Sequence, residues 1–440
     1  MELCMWAEAA ILFGLVFLFL MAGMWIALAL ATAGMIGLIW LVGDMQFLVG
    51  SLQFNALNSF AIVAVPMYIF MGELALQGGL SGQLYRGAAR MTQVFPGGLT
   101  HSNIVACSVF AAVSGSSVAT SATIGTVAIP EQAERGYNRR LVMGSIAAGG
   151  TLGILIPPSI TMILYGAFEN VSIARLFIGG VIPGLVLAGM FLLWIAIAAK
   201  VFPEWSPARE KLSWGYIGQL GRALVEIWPF MLIIGIVMGG IYTGFFTPAE
   251  AAGIAIVATL GILAVQGKLS RALISSAGLA TVRTTSMILF ILIGARILTT
   301  AMSQLKLPAE LSEFVLGLDL APMVIWGAIV LMYLLLGCFM DGISLMLLTL
   351  PVTFPLLIDG LGMDPIWFGV MLTVLIEAAL ITPPVGLNLF VIYGISGGKS
   401  FQDVVYGVMP FFVVMLLSIV LFTAFPELVT WLPSTIMDLR

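Results

Sequence analysis

Apolar runs of about 20 residues follow one another along this 440-residue chain, each long enough to cross the roughly 30 Å hydrocarbon layer of a bilayer. Inside lipid every backbone N–H and C=O must be satisfied internally, so only helices or a closed barrel can span it. The runs are continuous rather than alternating, which excludes a barrel. With 61% hydrophobic and 9% charged residues, the chain carries far less charge than a soluble protein of its length. The expected class is an all-α polytopic membrane protein whose main surroundings are the lipid bilayer. Nothing points to nucleic acid.

Two of the runs hold a proline pair. Ile156-Pro157-Pro158 is followed by Tyr165-Gly166, and Thr382-Pro383-Pro384 by Tyr393-Gly394. Proline removes a backbone donor and breaks a helix, which lipid tolerates only where the freed groups line a site. The two breaks are copies. Pro157 and Pro383 are 226 residues apart, and Pro130 and Pro355 are 225 apart. The pairs Tyr165/Tyr393, Ser172/Ser400 and Gly179/Gly407 each lie 228 apart.

Full spans are predicted near 9–24, 25–43, 59–77, 141–166 and 173–200, and again near 226–246, 249–266, 284–304, 366–394 and 405–425. Segments 101–130 and 322–358 are apolar but interrupted, at Ser114-Gly115-Ser116-Ser117 and at Gly337-Cys338-Phe339-Met340-Asp341-Gly342. Each reads as a re-entrant helical hairpin. The chain thus divides into a first repeat (1–200), a linker (201–225) and a second repeat (226–440). Residues 44–58 and 267–283 are less apolar and read as amphipathic arms in the interface; an ordinary loop is an equal alternative for 44–58.

No Lys or Arg precedes Arg86. Basic residues then cluster at 86–90, 135–140, 200–222 and 268–283, loops that the positive-inside rule places in the cytoplasm. An odd number of spans per half makes the repeats insert in opposite orientation. Both termini are then periplasmic. Of the 17 basic residues, only Arg175, Lys306, Arg440 and the intramembrane Arg296 depart from the cytoplasmic face. The start of the chain lacks a basic n-region and an A-x-A site, so no cleavable signal peptide is expected.

The breaks also suggest chemistry. Pro157 and Pro158 free the carbonyls of Gly153 and Ile154, and Pro383 and Pro384 those of Ala379 and Leu380. Such half-helix ends suit a small hard cation, while the half-helix that follows offers N–H groups to an anion. Hydroxyls from Ser114 to Thr120 add neutral oxygens. Ser/Gly motifs also let helices pack closely, but a hairpin, a double proline and a repeat together favour a site. The anion-facing set is Ser116, Ser117, Thr120, Pro158, Ser159, Pro384 and Asn388. Asp341 either balances a cation or caps the next half-helix. Glu73 and Glu377 are further intramembrane acids, and Arg296 suggests an ion pair. Glu250 reads as an N-terminal helix acid. His101 reads as packing or capping, and Cys107 and Cys338 as buried thiols. No P-loop motif is present, so ATP hydrolysis is not expected of this chain.

Ser114 to Thr120 through Pro130 and Gly136-Tyr137, the run Leu152 to Ile160, Thr247 to Ala252 and Thr382 to Gly386 resemble signatures of the large membrane subunit of tripartite ATP-independent periplasmic (TRAP) transporters. The resemblance covers nearly the whole chain. It implies an elevator-type secondary transporter, not an enzyme, in the bacterial inner membrane, driven by two or more Na⁺ ions. Its implied partners are a small four-span membrane subunit and a periplasmic binding protein that delivers an organic acid. One implied Na⁺ site is Ser114, Gly115, Ser116 and Ser117 against Gly149 and Gly153. The other is Gly337 and Asp341 against Thr382 and Gly386. The family often has Gly-x-Pro at the first turn, where this chain has Gly23-Met24-Trp25. The rival within transport is a single-component Na⁺/dicarboxylate symporter; a membrane enzyme would need more convergent polar groups than one histidine and few acids supply.

Overall fold

The computed structural model describes residues 2–43, 45–207, 214–398 and 400–437. Among these the regular structure is all helical. The first half contains α1 (Glu2–Met21), α2 (Ile26–Ile36, prolonged by a π-helical turn), α3 (Leu48–Leu57), α4 (Phe60–Gln77) and α5 (Leu80–Thr92). The hairpin α6 (Leu99–Ser114) and α7 (Ser117–Glu134) follows, then the broken pair α8 (Arg139–Thr151) and α9 (Ile160–Glu169), then α10 (Ile173–Val201). The second half repeats the order with α11 (Trp214–Tyr242), α12 (Pro248–Val265), α13 (Arg271–Gln304) and α14 (Leu307–Gly317). Its hairpin is α15 (Pro322–Leu336) and α16 (Gly342–Phe354), its broken pair α17 (Pro365–Leu380) and α18 (Leu387–Ile395), its last span α19 (Phe401–Ala424). A terminal α20 (Glu427–Met437) has no counterpart.

The offset of 228 residues has a local cause. Ser172 and Ser400 are the N-caps of α10 and α19, accepting from the amides of Arg175 at 3.4 Å and Asp403 at 3.3 Å. Such caps satisfy amides that the first turn leaves without partners. The peptide between the prolines is cis in both breaks. The two halves interlock: α2 packs on α13, and α12 packs on α4.

At the centre stand α8 and α17. Every residue from Leu141 to Thr151, and from Ile366 to Leu380, is buried. A helix that is apolar all round belongs inside, and only small residues let its neighbours close in. A Cβ on Gly144 would lie 2.0 Å from the Gly407 carbonyl oxygen, and one on Gly407 2.2 Å from that of Arg140. The α8–α19 crossing is therefore backbone on backbone.

Several boundaries differ from expectation. Seven described helical segments are long and apolar enough to cross a membrane unaided, one of them the α16 arm of the second hairpin. The spans at 141–166 and 366–394 are split by their breaks, that at 9–24 is shifted to Glu2–Met21, and that at 25–43 is shorter. Residues 271–283 are no separate arm: they run without interruption into the span, making one helix of 34 residues. In the first half the equivalent stretch is a helix, but Asn58 and extended Ser59 separate it from α4. Residue 44 and the middle of the linker, 208–213, lie outside the described residues; the end of the linker belongs to α11. The helices α5, α14 and α20 lie where no element was expected.

Basic residues make contacts between the two halves. Arg140 pairs with Asp403 at 2.8 Å, Arg90 with Glu226 at 3.0 Å, and Arg139 donates to the Ser396 carbonyl at 2.9 Å. Lys268 reaches the Gly79 carbonyl at 3.4 Å; partial burial, aided by nearby Arg86, holds its ammonium below the usual lysine range. Arg296 lies elsewhere and caps α9, close enough to Glu169 at the end of that helix to attract its carboxylate. Its guanidinium donates to the carbonyls of Phe168 at 2.9 Å and Ala167 at 3.4 Å and lies 4.0 Å from the Phe168 ring centre.

Candidate functional site

The first hairpin turns at Gly115, whose φ of +60° suits a residue without a side chain. Ser116 then caps α7, accepting from the Ala119 amide at 3.4 Å. The Ser114 hydroxyl meets that of Thr120 at 2.8 Å and so closes the tip on itself. The tip sits on the first break: a Cβ on Gly153 would lie 2.8 Å from the Ser116 carbonyl oxygen, and one on Gly115 3.3 Å from that of Pro158. From the other side α4 approaches through Gly72, where a Cβ would be 3.1 Å from Ser114 Cα.

The second hairpin follows the same plan with an acid in the capping position. Asp341 accepts from the amides of Ile343 and Ser344, both at 3.1 Å, and from the Ser344 hydroxyl. Its tip rests on the second break and on α17. A Cβ on Gly337 would lie 2.2 Å from Ala379 Cβ, and the Cys338 thiol faces the Pro383 carbonyl at 3.5 Å. Capping, one of the two roles open for Asp341, is thus what its geometry performs.

Both tips reach one cavity of about 400 Å³. Of the sequence-derived residues, Ser114, Gly115, Ser116, Ser117 and Asp341 line it. Thr120 stands behind, held by Ser114. Gly149 packs lower, against Cys107 and the Asn103 carbonyl of α6, away from the tip. Ser159 caps α9 by accepting from the Met162 amide at 3.3 Å, so that half-helix does not present all its amides freely. Thr382 bonds back to its own helix, through its hydroxyl to Ala378 at 2.7 Å and its amide to Ala379 at 3.1 Å. The Ala379 carbonyl is therefore not free, contrary to what the proline spacing alone suggests. Gly386, at φ +56°, would meet the carbonyls of Leu380 and Thr382 at 3.0 Å through any Cβ. Pro384 is exposed, whereas Asn388 is fully buried and neither of its amide atoms has a partner.

Sequence reasoning missed the wall opposite the tips: Ile69 and Leu76 from α4, and Thr284, Met287 and Ile288 from α13. Its one signal was Gly72-Glu73, a glycine and an acid together in a span. Glu73 lines the cavity and accepts from Gln77 Nε2 at 2.8 Å. Glu377 is placed where sequence gives no hint. It is fully buried, accepts from the Ser117 hydroxyl across 260 residues of chain, and leaves Oε2 without a partner.

The donor set is hydroxyls, carbonyls and carboxylates. Among the described residues no group of three His, Cys, Asp or Glu stands together. Such hard, mostly neutral oxygens fit a monovalent hard cation better than a transition metal. The two ionisable side chains on the cavity wall, Glu73 and Asp341, are both acids.

Residues 13–428 match the family described as "Tripartite ATP-independent periplasmic transporter, DctM component". The C4-dicarboxylate TRAP transporter large permease protein DctM of Vibrio cholerae is 35% identical, over 97% of this chain and 98% of its own. The isethionate TRAP transporter permease protein DctMQ of Oleidesulfovibrio alaskensis is 32% identical, over 95% of this chain and 65% of its own. In fold, the chain resembles the YdaH transporter of Alcanivorax borkumensis, with a TM-score of 0.67, 15% identity, and coverage of 93% of this chain and 98% of that one. The repeated hairpins and breaks are thus those of a multi-pass transporter rather than an enzyme, and the chain belongs to the DctM component, the large permease, of the tripartite ATP-independent periplasmic transporters.

Proposed function

We propose that this chain carries a small organic anion into the cell together with Na⁺, taking it from a periplasmic binding protein. One observation carries this reading: two hairpin tips meet in one cavity whose ionisable wall residues are acids, with no basic side chain among them. An anion entering such a cavity meets repulsion unless cations enter with it. The hydroxyls and carbonyls at the tips supply oxygens for Na⁺, which converts the wall from anion-repelling to anion-accepting. Coupling then follows from electrostatics. Relatives named for C4-dicarboxylate and for isethionate support a small carboxylate or similar anion as cargo. The name of the family supports a separate binding protein, and a small membrane subunit completes the assembly.

The moving body is α6 to α10 with α15 to α19, which pack around the buried α8 and α17; α1 to α4 and α11 to α13 form the scaffold. The basic loops face the cytoplasm of the inner membrane, and both termini lie outside it.

Proteoliposomes holding this chain, its small subunit and its binding protein should take up succinate or isethionate down an inward Na⁺ gradient. Equal uptake with K⁺ in place of Na⁺ refutes sodium coupling. Undiminished uptake without the binding protein favours the single-component symporter.

A further inference from the structure

Glu377 lies in α17, in the second repeat, yet its carboxylate points to the first hairpin. Ser117 Oγ donates to Oε1, and the Ile154 amide of the first break also faces the group. Neighbouring residues of the same helix serve the other hairpin: Gly342 packs on Ile376, and Gly337 on Ala379. The carboxylate is fully buried, and Oε2 has no hydrogen-bond partner. Basic side chains near the packed elements are engaged elsewhere: Arg140 with Asp403, Arg139 with the Ser396 carbonyl, Arg296 with the end of α9. A buried, uncompensated carboxylate is among the most costly arrangements in a protein interior.

The repeat sharpens this. The hairpin caps are Ser116 in one half and Asp341 in the other, so the second tip carries its own acid and the first does not. At the 226-residue offset of the prolines, the first-half position that matches Glu377 is Thr151, which bonds only to the Ala148 carbonyl. One acid therefore serves each tip: Asp341 from within, Glu377 from the opposite repeat.

We propose that Glu377 is the counter-charge of the first-hairpin cation site. It positions Ser117 by accepting a hydrogen bond from its hydroxyl, so that the hydroxyl lone pairs are free for Na⁺, and its charge neutralises the ion that binds there. This rests on the reading that Na⁺ binds at the first tip. The cation and the carboxylate, each costly alone, are stable together. Na⁺ at the first tip is thereby held by a helix that also carries the second tip, which joins the two half-sites into one electrostatic unit.

The test is the melting temperature of the purified, detergent-solubilised full chain against NaCl, with choline chloride holding ionic strength constant. Wild type should show a Na⁺-specific rise. Glu377→Gln should move its midpoint to about tenfold higher Na⁺ or beyond, through the lost charge attraction, and should melt no lower than wild type without Na⁺. Glu377→Asp, which keeps the charge, should stay within about threefold of wild type. A purely structural residue would instead lower the melting temperature equally with and without Na⁺. That result, an unchanged midpoint in Glu377→Gln, or equal shifts in the Asp and Gln variants overturns the proposal. If Glu377→Gln does not fold, the Asp variant decides: a midpoint moved as far as tenfold refutes the counter-charge. A wild type with no Na⁺-specific rise sinks the Na⁺ reading itself.

Discussion

Single residues at the two tips divide labour that a sequence leaves merged. Asp341 could serve as cap or as counter-ion, and its bonds to Ile343 and Ser344 establish the cap. Asparagine caps as well as aspartate but carries no charge. Asp341→Asn should therefore keep wild-type thermal stability and weaken Na⁺-driven uptake, whereas Asp341→Ala should also lose about 1 kcal/mol of stability. Equal uptake in Asp341→Asn and wild type would reduce Asp341 to a cap. What was legible here was local. A serine or aspartate just before a half-helix announces a cap because the chemistry spans three residues. Nothing local announces Glu377 and Ser117, which meet across 260 residues, or Gly149, whose partner Cys107 lies in another helix.

Helices show the same division between local pattern and packing. The proline pairs and the hairpin turns were readable because a missing N–H or a Ser-Gly-Ser-Ser run acts on its own backbone. The amphipathic α5, too polar to be read as a span, was missed, and α13 was cut in two at residue 284 where nothing in the backbone breaks it. The crossing of α8 and α19 was visible only as a repeated glycine, Gly407. Its meaning can be measured: Gly144→Ala puts a methyl where Gly407 has its carbonyl, so it should cost about 1–3 kcal/mol, as overpacking does. Gly253→Ala in α12 meets open space and should be neutral or stabilising by up to about 1 kcal/mol. Paired melting curves of the two variants check this; a tolerant Gly144→Ala would mean that the crossing relaxes.

For the molecule as a whole, the inverted repeat follows from an odd number of spans per half and from where the charges fall. Basic residues of these loops make contacts between the halves, Arg90 with Glu226 and Arg140 with Asp403. In a background without the three native cysteines, Lys268→Cys and Lys306→Cys should react with an impermeant maleimide from opposite sides of the membrane. Labelling of both from one side refutes the inversion. The unbroken α13 has a further consequence. Thirty-four residues at 1.5 Å each make a rod of about 51 Å. Even at about 40° of tilt, the steep end of what is seen for spanning helices, it overshoots the hydrocarbon by roughly 9 Å. The overshoot falls at the Arg271 end, where Ile274, Leu279 and Val282 are exposed. The rod is a keel: rocking this helix in the bilayer would drag those apolar side chains out of the headgroup layer into water, at about 1.5–3 kcal/mol for each one fully exposed. The jointed α3 and α4 of the first half make no such rod, so resistance to rolling is built into one side of the molecule alone.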